Sequence, residues 1–103
     1  MREAAVEKHL RDKVKTLGGK AYKFVSPGNA GVPDRLVLLP GGRIAFVELK
    51  APGGQVTPQQ KNCQREIKAL GFEVLNIDSK QYVDDFINKT KEDMYFDELL
   101  RGK

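Results

Sequence analysis

Cysteine, histidine and tryptophan are nearly absent from this chain, which has one cysteine, Cys63, one histidine, His9, and no tryptophan. A lone cysteine excludes an intramolecular disulfide and a cysteine-based zinc site, and a lone histidine leaves a histidine-based metal site without a second ligand. No apolar run reaches the length of a membrane span or a secretion signal. We therefore expect a cytoplasmic protein without a membrane partner, and we expect Cys63 to lie in the core.

The chain is short and basic. Its 103 residues suffice for one domain with a modest core. Lysine and arginine outnumber aspartate and glutamate by 18 to 14, which gives a formal net charge of +4. This balance suits a polyanionic partner, because binding to nucleic acid releases the counterions condensed on its phosphates. Many basic domains bind no nucleic acid, however, so charge alone does not decide the partner.

Hydrophobic periodicity and turn residues predict a mixed α/β fold with the element order αβββαβα. The second helix has a clear start, with Thr57 as N-cap, Pro58 at its first position and Gln60 completing a capping box. It forms the crossover from an antiparallel three-stranded meander to the fourth strand. The first helix carries the apolar stripe Val6, Leu10, Val14 and Leu17, and strands are predicted over 21–25, 35–39, 43–49 and 72–77. The second helix spans 57–70, and its face with Gln60, Cys63, Ile67 and Leu70 meets the sheet. A last helix is capped by Asp78 or Ser79.

The end of the chain keeps apolar residues at near-helical spacing. We therefore divide the sequence into a domain over residues 1–90 and an amphipathic tail over residues 91–103. A domain of this size has little core left to cover. The tail packs either on its own domain or on a second subunit, and the sequence leaves both open.

The second and third strands form a hairpin that brings acidic residues together. If residues 40–42 form the whole loop, Leu39 pairs with Arg43, and the same register places Asp34 opposite Glu48, with β-carbons about 4.5–5.5 Å apart. Strand alternation places Lys50 on the same face as Glu48. Two facing carboxylates repel each other, and a divalent cation removes that conflict.

This trio has two interpretations. The structural one is a turn with a salt bridge at Asp34 and Arg35 and an exposed ion pair between Glu48 and Lys50. The functional one is a metal site, since Mg²⁺ needs only one or two carboxylates and retains several waters. The backbone carbonyl of Leu49 would be a further ligand, and Lys50 would orient or deprotonate a water and offset charge on a phosphate. The hairpin context favours the functional interpretation.

The same residues resemble a known family. Asp34, Glu48, Leu49 and Lys50, following Gly31-Val32-Pro33, resemble the PD-(D/E)xK nuclease motif. The string SPGNAGVPDRLVLLPGGRIAFVELKAPGG, followed by VTPQQK, closely resembles the VRR-NUC (virus-type replication-repair nuclease) branch of that superfamily. The likeness extends from the first helix to about Ile77 and leaves the tail outside.

The resemblance implies a restriction-endonuclease-like core, a four-stranded mixed sheet flanked by helices, and DNA cleavage that depends on Mg²⁺ or Mn²⁺ without a small-molecule cofactor. Asp34 and Glu48 match the metal-binding acids and Lys50 the catalytic lysine. Glu7 matches the acid of the first helix, which would act on the metal directly or through a water. Gln60 matches the motif glutamine, with Gln59 as the neighbouring alternative. A bacterial or phage-infected host cell is the expected setting.

Glu7 and Gln60 also have ordinary structural explanations. Glu7 is placed to form an exposed i, i+4 pair with Arg11, which would contribute only a few tenths of a kcal/mol, about 0.2–0.5. The capping box explains Gln60 completely. Both residues enter the site mainly through the resemblance.

Several other residues are candidate DNA contacts. Ser26, Asn29 and Gly31 could hydrogen-bond or closely approach DNA phosphates, although they are also ordinary turn residues. A solvated basic face is the alternative for the cationic candidates. These are Lys20, Lys23, Arg35 and Lys61.

The residues and the resemblance together predict a metal-dependent DNA endonuclease. The resemblance further implies a homodimer that acts on branched DNA such as Holliday junctions. A two-fold dimer would present two sites to a two-fold substrate. One alternative is a non-catalytic, basic nucleic-acid-binding module that retains the fold. Another is a nuclease that acts on single-stranded DNA or on RNA.

Overall fold

Three helices and four strands follow one another in the predicted order αβββαβα. The computed structural model describes residues 2–102, so Met1 and Lys103, which belong to the predicted domain and tail, lie outside the described residues. The elements are α1 (Arg2–Thr16), β1 (Lys20–Lys23), β2 (Arg35–Leu39), β3 (Arg43–Leu49), α2 (Pro58–Ala69), β4 (Glu73–Ile77) and α3 (Lys80–Leu100).

The four strands form one mixed sheet in the order β1-β2-β3-β4. The first three are antiparallel, and β4 runs parallel to β3 after the α2 crossover. The hairpin has the predicted register, from Leu39 paired with Arg43 to Arg35 paired with Val47. Gly41 and Gly42 both have positive φ angles, which allow the tight loop between the strands.

The hydrophobic core lies between the sheet and the two terminal helices. Val6, Leu10 and Val14 of α1 are buried, as the predicted stripe requires. Full burial of side chains of this size contributes about 1.5–3 kcal/mol each. The other buried members of this core are Val37, Leu39, Ala45, Val47, Leu49, Ile77, Val83, Phe86 and Ile87.

The α2 helix packs against the opposite face of the sheet, and its packed face differs from the predicted one at Gln64 and Leu70, whereas Gln60, Cys63 and Ile67 are partly buried. Gln64 is buried, whereas Leu70 is 77% exposed. The difference arises because α2 ends at Ala69 and Leu70 is its C-cap. The residue that faces the sheet four positions after Gln60 is Gln64, and its amide is paired with Asn76 of β4. Cys63 is only partly buried and is not a member of the hydrophobic core, so its prediction as a core residue is wrong.

The predicted tail is the continuation of α3. This helix starts at N-cap Ser79 and runs without a break to Leu100. Arg43 ties its end to the hairpin by an ion pair with Asp97 and a 3.2 Å hydrogen bond to the carbonyl of Asp93. Within residues 2–102, no helix is both long and apolar enough to span a bilayer. Four large apolar side chains near the helix end are exposed: Tyr95, Phe96, Leu99 and Leu100.

Candidate active site

The open end of the β2–β3 hairpin brings Asp34 next to the end of β3. The preceding side chain, Pro33, is fully buried and anchors the chain at the start of β2. Asp34 Oδ2 accepts a 2.9 Å hydrogen bond from the backbone N–H of Leu49, and the Asp34 carbonyl accepts one from the N–H of Phe24 at 2.8 Å. The carboxylate is therefore held in one orientation, beside the peptide that joins Glu48 to Lys50.

Glu48, Lys50 and Gln60 form a hydrogen-bonded cluster between β3 and α2. The Gln60 amide donates from Nε2 to Glu48 Oε2 at 2.9 Å, and its Oε1 accepts from Lys50 Nζ at 2.9 Å. Lys50 Nζ also lies 3.5 Å from Glu48 Oε2. The structure therefore brings together three of the residues that the sequence analysis selected, and it identifies Gln60 rather than Gln59 as the glutamine that faces them.

Gln60 forms the capping box at the same time. Its Oε1 accepts from the backbone N–H of Thr57 at 2.9 Å, and its own N–H donates to Thr57 Oγ1 at 3.1 Å. The amide oxygen thus accepts hydrogen bonds from both the Thr57 N–H and Lys50, and the amide nitrogen donates to Glu48. The two interpretations of Gln60 that the sequence left open are compatible.

Glu48 is a buried carboxyl group with an incomplete set of partners. The residue is 3% exposed, and its Oε1 has no hydrogen-bond partner within the described residues. Burial, followed by the nearby charge of Asp34, raises the pKa of Glu48 to about 7, although Lys50 acts in the opposite direction. Burying an isolated carboxylate costs free energy, so this arrangement favours either a protonated Glu48 or a cation bound to it.

Glu7 lies beside this site, but it is held by two arginines. It forms an ion pair with Arg35 across to β2, and its Oε2 lies 3.8 Å from Arg11 Nε. Its side chain still lines a cleft of about 390 Å³ together with Asp34 and Leu49. The exposed pair with Arg11 is therefore the weaker of its two contacts.

Glu3 lines the same cleft and was missed in the sequence analysis. Its negative charge is also among the influences that raise the pKa of Glu48. Glu3 precedes Glu7 by four residues, so both lie on one face of α1. That spacing was the available signal for a second acidic residue at the site.

The donor set fits a hard divalent cation. Within residues 2–102, no three histidine, cysteine, aspartate or glutamate side chains are close enough to hold a metal by themselves. Mg²⁺ takes oxygen ligands and commonly uses one or two carboxylates with several waters. Asp34, Glu48 with its unpartnered Oε1 and the Leu49 carbonyl meet that requirement.

The candidate DNA contacts divide into two groups. In the loop before β2, Asn29 Nδ2 donates to Ser26 Oγ at 2.9 Å, so these two side chains satisfy each other. Gly31 approaches the α2 backbone, where an added Cβ would lie 2.7 Å from the Gln59 carbonyl oxygen. The basic candidates lie elsewhere: Lys20 and Lys23 are exposed on β1, Lys61 is exposed on α2, and Arg35 is held by Glu7 and by the Ala21 carbonyl at 3.0 Å.

Comparisons with known proteins agree with this fold. The family model described as the VRR-NUC domain matches residues 2–81. "Putative nuclease p44" of Acyrthosiphon pisum secondary endosymbiont phage 1 is 55% identical over 80 residues, which are 78% of this chain and 86% of that protein. A solved structure described as a VRR_NUC domain has a TM-score of 0.80 and 32% identity, covering 85% of this chain and 96% of that one.

Proposed function

The chain belongs to the VRR-NUC family, and from that premise we propose that it is a metal-dependent endonuclease that hydrolyses DNA phosphodiester bonds. Family membership and the phage relative named as a nuclease support the nuclease activity. The observation that carries the metal dependence is the buried Glu48 carboxyl, whose Oε1 lacks a partner among residues 2–102 while Asp34 lies close by.

Each side chain has a role that follows from its contacts. Asp34 and Glu48 would hold Mg²⁺ or Mn²⁺ together with the Leu49 carbonyl. The bound metal would polarise a phosphoryl oxygen and lower the pKa of a water. Lys50 orients the attacking water and offsets negative charge that develops on the phosphate. Gln60 holds the Lys50 ammonium and the Glu48 carboxylate in a fixed orientation through one hydrogen bond to each.

The activity test uses labelled duplex, single-stranded and four-way-junction DNA with Mg²⁺, Mn²⁺ or EDTA. We expect cleavage only with metal, abolished in Asp34→Ala and in Lys50→Ala, with Mn²⁺ binding retained in Lys50→Ala. Lys68→Ala, which removes an exposed lysine at the far end of α2, is the matched control and should cut normally. Wild-type cleavage by Lys50→Ala would refute the role of Lys50.

A homodimer on branched DNA is the form that we propose for the active protein. The end of α3 exposes four large apolar side chains within six residues, and clustered exposed apolar residues are typical of protein–protein contact surfaces: Tyr95, Phe96, Leu99 and Leu100. It lies beside a cavity of about 430 Å³ that is lined by Tyr95 and by none of the candidate catalytic residues. A two-fold pair would present two active sites to a two-fold junction.

Light scattering tests the dimer. We expect Leu99→Ser to shift the protein toward the monomer, whereas Leu70→Ser, which changes the exposed C-cap residue of α2, should leave the mass unchanged. A preference for four-way junctions over simple duplex should weaken together with dimerisation. A monomeric wild-type protein that cuts junctions would refute this part of the proposal.

The alternatives make different predictions for the same assays. A non-catalytic binding module would bind DNA in a salt-dependent manner and cut no substrate with any metal. A nuclease specific for single strands or RNA would leave duplex and junction DNA intact. The phage origin of the similar nuclease supports a bacterial or phage-infected cell as the setting.

A further inference from the structure

A basic groove runs between α1 and the edge strand β1. Its volume is about 360 Å³, and five of the side chains that line it are cationic, whereas none is acidic. The whole chain carries 18 basic and 14 acidic residues, so this surface is far more positive than the average. The cationic residues are Arg11, Lys15, Lys20, Lys23 and Arg35.

Most of this positive charge is not neutralised within the protein. Arg35 is paired with Glu7, and Arg11 lies 3.8 Å from the same carboxylate. Among residues 2–102, Lys15, Lys20 and Lys23 form no salt bridge. Like charges held at one surface raise the local potential and attract polyanions.

The groove adjoins the candidate active site. The Glu7–Arg35 ion pair forms the boundary, because Glu7 lines the cleft that contains Asp34 while Arg35 lines the basic groove. Arg35 is fixed further by its hydrogen bond to the Ala21 carbonyl of β1. A strand whose scissile phosphate lies near Asp34 would therefore pass from the acidic cleft onto a positive surface.

The chemistry of the groove favours a duplex over a single strand. Proteins that bind single strands combine positive charge with aromatic rings on which bases stack. Tyr22 is the one aromatic residue that lines this groove, and the Lys20 ammonium lies 5.6 Å from its ring centroid, over the surface that a base would use. Backbone phosphates require only the charge, and such contacts position DNA without reading its sequence.

We propose that Lys15, Lys20 and Lys23, in the groove between α1 and β1, bind the backbone phosphates of the duplex arm that flanks the bond cleaved at Asp34, Glu48 and Lys50. The assignment of the cleaved bond rests on the proposed nuclease function. The binding surface itself does not, because it requires only a phosphate backbone.

The test compares two charge-matched double variants in EDTA, where no cleavage is expected. Lys15→Gln with Lys20→Gln removes two groove cations, and Lys13→Gln with Lys68→Gln removes two exposed lysines outside the groove. The four lysines have no salt bridge among the described residues, so neither double variant breaks an ion pair. Circular dichroism melting checks that both fold.

Fluorescence anisotropy with a labelled 20-base-pair duplex, over a range of KCl concentrations, provides the readout. Each phosphate contact contributes about 0.9 to the slope of log K against log salt, so the groove variant should lower the slope by about 2 and weaken binding about 50-fold at ~0.1 M salt. The control variant should match the wild type. Equal slopes and affinities for the two variants, or a wild type that binds no duplex, would overturn the proposal.

Cleavage assays on the same proteins separate this proposal from the proposed function. If the wild type cuts no DNA with any metal but the groove variant still loses binding, the groove is confirmed and the nuclease proposal fails. If the wild type cuts DNA and the groove variant binds as the control does, the groove proposal alone fails.

Discussion

Gln60 donates a 2.9 Å hydrogen bond from Nε2 to Glu48 Oε2, and this bond joins the first turn of α2 to the end of β3. The same amide receives the Thr57 N–H in the capping box and the ammonium of Lys50. The start of the helix and the candidate active site therefore share one side chain. The position of α2 along the sheet is linked directly to the geometry of the carboxylate cluster.

Gln60→Leu should lower both stability and activity, whereas Thr57→Ala should lower mainly stability. Loss of the Thr57 cap costs about 1 kcal/mol, because a helix N–H loses its partner. Gln60→Leu also removes the hydrogen bonds to Glu48 and Lys50, and loss of partners that orient a metal site typically reduces activity about 10–100-fold. Thermal unfolding and cleavage rates measured well below the melting temperature separate the two effects. Equal activity in the two variants would show that Gln60 acts only as a cap.

The part of the site that depends on local sequence could be predicted. The hairpin loop at residues 40–42 determines the register from Leu39 to Arg35, and that register leads to Asp34 opposite Glu48. The capping box at Thr57 was equally visible, because it depends on residues three positions apart. Both features are local, so neither needs the tertiary structure.

Features that depend on packing between distant elements were not predicted. Gln64 is polar and was not assigned to the buried face, because its partner, Asn76, lies on another element. The interaction of Glu7 with Arg35 depends on how α1 lies against β2, and sequence spacing alone favoured Arg11. Such contacts are fixed by tertiary geometry, so periodicity carries no signal for them.

The apo protein should lose stability as pH rises toward neutrality because of Glu48. Burial raises its pKa from the ordinary value of about 4.5 to about 7 in the folded state. A raised pKa means that folding favours the protonated form of Glu48. Its full contribution to the free energy of unfolding is therefore present below pH ~4.5 and is lost as pH rises to about 7. A pKa shift of this size corresponds to a change of about 3 kcal/mol in the free energy of unfolding.

Glu48→Gln, which stays neutral, should therefore unfold at a higher temperature than the wild type at pH ~8 in EDTA, and the difference should largely disappear near pH ~4.5. Glu66→Gln, on the exposed face of α2, is the control and should show no such pH-dependent gain. Added Mn²⁺ should stabilise the wild type at pH ~8 and leave the stability of Glu48→Gln nearly unchanged, because the substitution removes a proposed metal ligand. A pH-independent difference between wild type and Glu48→Gln would contradict the buried-charge explanation.

Gly31→Ala should destabilise the protein more than Gly28→Ala. Both glycines have positive φ angles, 88° and 81°, so each substitution carries a backbone cost of about 1–2 kcal/mol. At Gly31 the new Cβ would also lie 2.7 Å from the Gln59 carbonyl oxygen, whereas at Gly28 nothing lies within 4 Å. In urea unfolding, Gly31→Ala should lower the free energy of unfolding by about 1 kcal/mol or more beyond the loss in Gly28→Ala. Equal losses would mean that the loop moves away from α2 without cost.

The Gln64–Asn76 pair should behave as a coupled unit that keeps α2 in place. The two amides exchange hydrogen bonds of 2.7 and 3.1 Å, and Asn76 is the register partner of Glu48 on the neighbouring strand. Gln64→Leu leaves the Asn76 amide without its partner, which costs about 1–3 kcal/mol, and Asn76→Val does the same to Gln64.

The double variant should lose less than the sum of the two single losses, since replacing both polar groups removes the unsatisfied partner. A double-mutant cycle from urea unfolding should give a coupling of about 1–2 kcal/mol. The cleavage rate adds a readout that packing alone would not move: because Gln64 lies one helical turn after Gln60, the double variant should regain stability without regaining full activity. If the double variant recovered both the stability and the cleavage rate, apolar packing at this contact would position Gln60 just as effectively as the amide pair.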